Sequence, residues 1–255
     1  MEPLLKATRV NEMFGGLKAV SNFNLHIDPG ELVGLIGPNG AGKTTAFNLF
    51  TGVYQPTEGQ IEFLGKSIVG LKPHQITQRG IARTFQNIRL FAELSVLDNV
   101  KIAFHFHVRY GLAEAVMRIG RYYSEEQRIE NEAMKLLKIF KLDSLAEETA
   151  KNLPYGAQRR LEIARALAAS PKLLLLDEPA AGMNPQETQE LMDMIHWIRD
   201  QFGLTILLIE HDMSLVMGIC ERIYVLEYGE IIAQGTPAEI QHNPEVIRAY
   251  LGGEA

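Results

Sequence analysis

A phosphate-binding loop is predicted at residues 37–44, which satisfy the spacing G-x-x-x-x-G-K-[ST]. Glycines at this spacing let backbone N–H groups converge on phosphate oxygens, and a following helix adds the positive end of its dipole. Lys43 can then reach the β and γ phosphates, and the Thr44 hydroxyl can ligate Mg²⁺. The apolar run 32–36 before the loop and the segment 45–50 after it supply the required strand and helix, which disfavours a mere glycine-rich turn with a solvated lysine. The predicted nucleotide-binding residues are Gly37, Pro38, Asn39, Gly40, Ala41, Gly42, Lys43, Thr44 and Thr45.

Two adjacent acids, Asp177 and Glu178, follow the apolar run 173–176. A buried strand would deliver Asp177 at its carboxyl end, where the carboxylate can hold Mg²⁺ through water, and Glu178 beside the γ-phosphate as general base for the attacking water. Many buried strands end in acids, so the pattern acquires this meaning only together with the phosphate loop. The two acids would repel the nucleotide unless positive charge lay between them, and Mg²⁺ with Lys43 supplies it. The residues therefore predict ATP hydrolysis.

The elements that must position these residues are predicted from apolar runs. Runs without polar alternation, typical of strands buried on both faces of a parallel sheet, span residues 32–36, 173–176 and 204–209. Shorter runs divided by turn signals predict an antiparallel β layer, and they span residues 25–27, 60–64, 223–226 and 230–234. A helix is predicted from Asn184-Pro185 to Gly203, with an apolar stripe at Leu191, Met194, Ile195, Ile198 and Phe202. Strands alternating with helices indicate an α/β fold.

A helical insertion is predicted between Ser95 and Ala169, where the strand signal disappears. Ser124 with Gln127 reads as a capping box, and Ser144 with Glu147 repeats this helix-start signal. The apolar stripe after the first signal consists of Ile129, Ala133, Leu136, Leu137 and Phe140. We therefore expect an ATP-binding core at residues 1–87 and 161–255, interrupted by a helical subdomain at residues 88–160.

Composition limits the classes of function. The chain has 255 residues, 46% of them hydrophobic, which is too apolar for a disordered protein. A net charge of −6 disfavours nucleic acid as a partner, and a single cysteine, Cys220, excludes an intramolecular disulfide. The first ten residues lack the apolar core of a signal peptide, and every apolar stretch is far shorter than the roughly 20 residues that span a bilayer. The sequence thus predicts contact with a membrane only through a partner.

The ordered set of motifs resembles the nucleotide-binding subunit of ABC transporters. This resemblance implies that Phe14 stacks on adenine, that Gln86 contacts Mg²⁺ and the attacking water, and that His211 contacts the γ-phosphate. It implies a P-loop NTPase core of the ABC type with an antiparallel β layer and an inserted α-helical subdomain. ATP and Mg²⁺ are the implied cofactors.

The signature sequence of that family, Leu-Ser-Gly-Gly-Gln, is altered in this chain. Pro154 replaces the serine and so removes two hydrogen-bond donors, a hydroxyl and a backbone N–H. Gly156 and the N-terminus of the following helix can still bind an anion. The resemblance implies that this stretch faces the nucleotide of a partner subunit, and its residues are Leu153, Pro154, Tyr155, Gly156, Ala157 and Gln158.

A subgroup is indicated by longer stretches, which resemble the larger ATPase subunit of branched-chain amino acid importers. These stretches are Phe14-Gly15-Gly16-Leu17, Arg83-Thr84-Phe85-Gln86, residues 178–185 with Asn184 where the family usually has Asp, Ile209-Glu210-His211-Asp212-Met213, and residues 243–252. Urea, amide or lipopolysaccharide-export ATPases are alternatives. Soluble ABC-type ATPases of DNA repair or translation form another class, but they generally carry additional modules for which this chain has no room. A binding module without turnover is opposed by Glu178 and His211.

The resemblance also implies the partners and the location. Two ATPase subunits, either paralogues or copies of this chain, would close head to tail on ATP. Integral membrane permease subunits would dock beside them, with a solute-binding protein acting indirectly. The expected location is peripheral, on the cytoplasmic face of the inner membrane. Nothing in the chain identifies the transported solute.

Overall fold

The computed structural model describes residues 2–108 and 110–251, so Gly252, the end of one motif above, lies outside the described residues. The strands are β1 (Leu5–Phe14), β2 (Leu17–Ile27), β3 (Leu32–Ile36), β4 (Glu58–Phe63), β5 (Lys66–Ser67), β6 (Ile81–Arg83), β7 (Leu173–Asp177), β8 (Thr205–Ile209), β9 (Arg222–Glu227) and β10 (Glu230–Gly235). The helices are α1 (Lys43–Phe50), α2 (Pro73–Arg79), α3 (Val96–Phe104), α4 (Leu112–Met117), α5 (Tyr122–Ile139), α6 (Tyr155–Ala168), α7 (Pro185–Phe202), α8 (Met213–Ile219), α9 (Pro237–Gln241) and α10 (Pro244–Leu251). Among the described residues, no helix combines the length and the apolarity needed to cross a bilayer.

A six-stranded sheet in the order β10-β9-β3-β8-β7-β6 carries the predicted chemistry. Every pairing from β9 to β6 is parallel, and every residue of β3, β7 and β8 is buried. The α/β class and the prediction of strands buried on both faces are therefore confirmed. Because the parallel strands end at one edge, the residues that follow them converge there.

A second, antiparallel sheet has the order β2-β1-β4-β5. The sequence runs at 25–27 and 60–64 marked only parts of β2 and β4, and β1 was missed. The runs at 223–226 and 230–234 form β9 and β10, which pair with each other but belong to the six-stranded sheet rather than to this layer. Their hairpin extends the edge of the parallel sheet because β9 also pairs with β3.

The main apolar core combines side chains from both sheets with one face of α1. Phe47 and Phe50 of α1 are fully buried, and the Phe50 ring lies 6.1 Å from the Phe23 ring of β2. Residues of β1, β3 and β8 belong to the same cluster, among them Leu5, Val33 and Leu207. This packing holds the helix that begins at the phosphate loop firmly against the sheet that ends there.

The chain forms two compact units, one of residues up to 83 together with those from 172 onward, the other of residues 84–171. These bounds differ from the expected subdomain at 88–160. The difference has a physical cause, since α6 runs unbroken from Tyr155 to Ala168 and packs against α3 and α5. A division at residue 160 would cut through this helix.

Within the helical unit, the expected stripe from Ile129 to Phe140 is buried. The start of its helix was predicted wrongly: α5 begins at Tyr122, and the Ser124 hydroxyl donates to the Arg121 carbonyl inside the first turn instead of capping it. The second start signal, at Ser144, was also wrong, because residues 143–145 form a single 3₁₀ turn. Short polar motifs of this kind stabilise turns as readily as helices.

Helix α7 begins and ends as predicted. Asn184 caps it by accepting from two backbone N–H groups of the first turn, and Gly203 ends it in a left-handed conformation with φ 60°. Leu191, Ile195 and Ile198 are buried, but Phe202 at the end of the stripe is exposed. The stripe therefore reaches the core over fewer turns than the sequence indicated.

Candidate active site

The loop between β3 and α1 approaches neighbouring strands so closely that two of its glycines have no room for a side chain. A Cβ on Gly37 would lie 1.9 Å from the Leu226 carbonyl oxygen, and a Cβ on Gly42 would lie 2.5 Å from that of Ala19. Both residues also adopt positive φ, 149° and 105°, which favours glycine. The chain can follow this tight path only with glycine at both positions.

Lys43 is a buried cation held inside the loop. Its Nζ donates to the carbonyl oxygens of Gly37, at 2.6 Å, and of Pro38, at 2.9 Å. Burial lowers the pKa of Lys43, while the nearby carboxylates of Glu178 and Asp177 raise it again. An ammonium group that two carbonyl oxygens hold in place is suited to binding an anion such as phosphate.

Helix α1 opens directly behind the lysine. Its N-cap residue is Gly42, and within the described chain no side chain caps the first turn. Thr44 is exposed there and Thr45 is half-buried. The first N–H groups and the helix dipole are thus directed toward the space above the loop, the arrangement that binds phosphate in many proteins.

Asp177 ends β7 and is paired with Arg83, which the sequence indicated only as part of a subgroup motif. Arg83 Nη2 lies 2.6 Å from Asp177 Oδ2, with only 6% and 4% of the two side chains exposed. Arg83 Nη1 also donates to Asn48 Oδ1, at 2.7 Å. The role of Arg83 was missed because β6 is too short for a periodic signal.

Glu178 and His211 form a close pair at the ends of adjacent strands. Asp177 of β7 stands opposite Ile209 of β8, so the residues that follow both strands meet at the same edge. His211 Nε2 lies 2.6 Å from Glu178 Oε1, with the histidine 44% and the glutamate 13% exposed. Glu178 has φ 46°, a left-handed conformation that is strained for a non-glycine residue.

A second buried acid, Glu210, holds the two loops that carry this pair. Its carboxylate accepts from the backbone N–H of Ala180, at 2.8 Å, and from those of His211 and Asp212, at 3.0 and 3.4 Å. Burial raises the pKa of Glu210, and these donors oppose the shift. The sequence signal for Glu210 was an acid directly after an apolar strand, and the residue was predicted only as part of a motif.

Phe14 lies at the end of β1, where the chain turns back into β2. Its ring is partly exposed and meets Tyr54 edge to face, with centroids 5.0 Å apart. Tyr54 packs against the main core and thereby supports the Phe14 ring. The Phe14 side chain is 42% exposed, so a flat ring can stack on it.

Gln86 and the altered signature lie in the helical unit. Gln86 is exposed, and its main-chain carbonyl accepts from Arg159 Nη2 at 2.8 Å. Arg159 and Glu162 form a fully buried ion pair at 2.8 Å. Glu162 accepts from the backbone N–H of Phe85 and Arg89. This pair fastens the chain around Gln86 to α6 and was missed, because an arginine and a glutamate three residues apart usually share a solvated face.

The signature stretch is built around the start of α6. Pro154 is the N-cap residue, and Leu153 before it is buried. The Gln158 amide donates to the Leu153 carbonyl at 2.8 Å, while the hydroxyl of the exposed Tyr155 accepts from Arg159. Gly156 is half-buried and Ala157 is buried. The Gln158 side chain thus ties the first turn of α6 to Leu153, and Pro154 between them offers no backbone N–H.

The donor set of the core unit suits a hard cation that arrives with phosphate. Among the described residues, no three His, Cys, Asp or Glu side chains cluster closely enough to hold a metal by themselves. Asp177 and Thr44 offer oxygen atoms near the loop, and Mg²⁺ usually takes one or two protein oxygens and completes its shell with phosphates and water.

Comparisons with known proteins agree with this geometry. The family model described as ABC transporter matches residues 20–181, and the one described as branched-chain amino acid ATP-binding cassette transporter matches residues 230–255. The chain is 48% identical, over 251 residues and 98% of both chains, to the high-affinity branched-chain amino acid transport ATP-binding protein LivG of Escherichia coli (strain K12).

Solved structures have the same architecture. The ADP conformation of MJ1267, an ATP-binding cassette of an ABC transporter, superimposes with a TM-score of 0.85 at 30% identity, covering 99% of this chain and 100% of that one. The ATP-binding cassette MJ0796, in a dimeric post-hydrolysis state bound to ADP and Pi, superimposes with a TM-score of 0.77 at 27% identity, covering 91% and 98%. The ABC-type core with its antiparallel sheet and helical unit is thereby confirmed.

Proposed function

This chain belongs to the ABC transporter family of ATP-binding proteins, and on that premise we propose that it is the ATP-hydrolysing subunit of an importer for branched-chain amino acids. The name of its 48% identical relative and the match at residues 230–255 support the solute class. Urea, amide and lipopolysaccharide-export systems remain the alternatives within the family. The match at 230–255 favours branched-chain amino acids over these.

One observation carries the proposal: a buried lysine, a paired aspartate and a Glu178–His211 pair converge at the carboxyl ends of β3, β7 and β8. In the proposed mechanism residues 37–45 cradle the phosphates, with Lys43 on the β and γ groups, and Phe14 stacks on adenine. Glu178 takes a proton from the attacking water as it approaches the γ-phosphate. His211 orients Glu178 and contacts the same phosphate.

Thr44, Asp177 and Gln86 are the residues that we propose for Mg²⁺. The bound cation would neutralise phosphate charge that the two adjacent acids would otherwise repel. Asp177 would accept hydrogen bonds from water around the cation, and the Thr44 hydroxyl would supply an oxygen from the first turn of α1. Gln86 is assigned to the cation on the family resemblance alone.

A complete site would need a second ATPase subunit. The dimeric state of a relative that is bound to ADP and Pi supports an assembly of two such chains. We infer that residues 153–158 face the nucleotide of the partner, either a paralogue or a second copy. The γ-phosphate would bridge both subunits only in the closed state, so ATP favours closure and hydrolysis reopens the pair. The helical unit would pass this motion to membrane permease subunits, and a solute-binding protein would act through them.

The primary test is calorimetry with ATP, in Mg²⁺ and in EDTA, on the wild-type protein and on Lys43→Ala. We expect Mg²⁺-dependent binding by the wild type and a loss of at least tenfold in the variant. Lys172→Ala is the matched control, because it removes an exposed lysine that precedes β7, at the opposite end of that strand from Asp177. Failure of the folded wild-type protein to bind ATP in the presence of Mg²⁺ would overturn the proposal.

The solute class is tested in the assembled transporter. The permease subunits that co-purify with this chain are reconstituted in proteoliposomes, and ATP-driven uptake of leucine, isoleucine and valine is compared with that of urea and acetamide. We expect uptake of the branched-chain amino acids and its loss in Lys43→Ala. Preferential uptake of urea or acetamide, or co-purification of a lipopolysaccharide-export permease, would select an alternative.

A further inference from the structure

Arg83 is the last residue of β6, beside the strand that delivers Asp177. The two strands are parallel, and Arg83 stands opposite Leu175. Because side chains alternate along a strand, Asp177 projects on the same side of the sheet as Leu175 and therefore toward Arg83. The register of the sheet thus brings the guanidinium to the carboxylate.

The guanidinium makes contacts with two elements at once. Nη2 donates to Asp177 Oδ2 at 2.6 Å, and Nη1 donates to Asn48 Oδ1 at 2.7 Å. The Cζ atom lies 5.4 Å from the centroid of the Phe47 ring, within range of a cation–π contact. Asn48 and Phe47 belong to α1, the helix that begins with Lys43 and Thr44. Arg83 therefore connects the acid at the end of β7 to the helix of the phosphate loop.

Arginine is suited to this position in a way that lysine is not. Its planar guanidinium presents donors in fixed directions, so the contacts to Asn48 and Asp177 determine each other's geometry. A lysine would supply one compact charge on a flexible stem. It could meet either acceptor but could not hold both in one plane.

The contact with Arg83 leaves Asp177 able to accept further hydrogen bonds. A carboxylate offers about four lone-pair sites, so an oxygen that accepts from arginine does not exhaust its capacity to accept from metal-bound water. A buried carboxylate without a cation would be costly, and Arg83 offsets that cost with only 6% of its own side chain exposed. The arginine can therefore hold the Asp177 carboxylate in place before a metal arrives.

We propose that Arg83 is a positioning residue for the divalent cation: it fixes the Asp177 carboxylate relative to α1 and thereby sets the affinity of the site for Mg²⁺. The inference rests on the proposed function, since it assigns Asp177 and Thr44 to the cation. Arg83 acts through Asp177 and is distinct from the residues that bind the phosphates. Its removal should weaken the metal contribution to nucleotide binding while leaving the metal-independent part.

The experiment compares the full-length wild type with Arg83→Lys and Arg83→Met. The affinity for an ATP analogue that cannot be hydrolysed is measured with Mg²⁺ and with EDTA, and the ratio of the two gives the metal contribution. Binding of Mn²⁺ to the protein–nucleotide complex, followed by electron paramagnetic resonance, provides a second readout that involves no turnover. Arg79→Lys is the matched control. Arg79 lies at the end of the exposed helix α2, and its guanidinium donates to the Ser67 carbonyl instead of to an active-site residue.

We expect Arg83→Lys to lower the metal contribution and the Mn²⁺ affinity by about 10 to 100-fold, the usual effect of losing a residue that orients a metal ligand. The affinity in EDTA should change by less than about twofold, since the phosphate loop is intact. Asn48→Ala keeps the contact between Arg83 and Asp177 but removes its link to α1. This variant should also lower the metal contribution, by a smaller factor.

Three results would overturn the inference. The first is an unchanged metal contribution in Arg83→Lys. The second is an equal loss of affinity in Mg²⁺ and in EDTA, which would make Arg83 a support of the loop alone. The third is a wild type that binds the nucleotide equally well with and without Mg²⁺. Should Arg83→Met fail to fold, Arg83→Lys and Asn48→Ala still decide the question. Failure of the wild type to bind any nucleotide would instead refute the proposed function.

Discussion

His211 Nε2 lies 2.6 Å from Glu178 Oε1, although the two residues follow different strands and are 33 positions apart in the sequence. The parallel register of β7 and β8 makes this contact possible, since Asp177 stands opposite Ile209 and the residues that follow both strands lie at the same edge of the sheet. A histidine that contacts a carboxylate can hold it in one orientation toward a substrate. The position of Glu178 therefore depends on the neighbouring loop as well as on its own strand.

The first prediction concerns Glu178 as general base. Glu178→Gln keeps the shape of the side chain but cannot accept a proton from water. ATP hydrolysis should fall by about 10²- to 10⁴-fold, the usual contribution of a general base. ATP binding should persist, and the variant should accumulate as an ATP-bound dimer in size-exclusion chromatography.

The control for this variant is Glu190→Gln, on the exposed face of α7. It removes one carboxylate from the protein at a distance from the phosphate loop, and hydrolysis should be unaffected. Full activity of Glu178→Gln would exclude Glu178 as the base. Loss of both hydrolysis and the ATP-bound dimer would favour a binding module of another kind.

The second prediction concerns the close packing of the phosphate loop against a neighbouring strand. Gly37→Ala places a Cβ that would lie 1.9 Å from the Leu226 carbonyl oxygen, so the loop or β9 must move. Gly40→Ala at φ 80° finds no atom within 4 Å and meets only backbone strain, which costs about 1 kcal/mol. In urea unfolding, Gly37→Ala should lose more free energy of unfolding than Gly40→Ala and should bind ATP more weakly. Equal effects of the two substitutions would show that the close approach is unimportant.

Much of this site could be predicted from the sequence because its chemistry is local. The residues from Gly37 to Thr44 are consecutive, and the run of leucines before Asp177 identifies both the strand and its end. The partners that come from elsewhere were missed. Arg83 meets Asp177 through strand pairing, and Glu210 meets Ala180 across two loops; such contacts depend on register, which no single stretch encodes.

The fold, like the site, could be predicted where the sequence signal is local and strong, and was missed where it is not. Strands β3, β7 and β8 are buried on both faces and produce continuous apolar runs. Strand β1 alternates buried and exposed residues only in part, because register shifts against β2 interrupt the alternation. Its period-two pattern in the sequence is therefore weak. The capping signal at Ser124 was misleading because the local hydrogen bond exists but lies inside the first turn of α5.

The third prediction concerns the pH dependence of stability through Glu210. Burial raises the pKa of its carboxyl in the folded protein. Between the unfolded value, about 4.3, and the higher folded value, the native state binds more protons, so the free energy of unfolding falls as pH rises. Glu210→Gln lacks this titration. Urea unfolding from pH 4 to 7 should therefore show the stability of the wild type, relative to the variant, decreasing with pH.

Glu210→Gln also loses an acceptor oxygen for the backbone N–H groups of Ala180 and His211, so its stability should be lower at every pH. The diagnostic quantity is thus the slope of the stability difference against pH. Parallel curves for wild type and variant, or a difference that grows with pH, would contradict a raised pKa at Glu210. Glu190→Gln should give a curve parallel to the wild type.

The last prediction concerns the altered signature at the start of α6. Pro154 provides neither a hydroxyl nor a backbone N–H, and a hydrogen bond to a charged group contributes about 1.5 to 3 kcal/mol. Pro154→Ser would restore both donors and is also a favourable N-cap, so the helix should remain intact. Pro154→Ala restores the N–H alone and should give an intermediate result. If this stretch faces a partner's γ-phosphate, ATP turnover of the complete transporter should rise in the order Pro, Ala, Ser. Equal turnover of the three assembled complexes would exclude Pro154 as the weak point of that site.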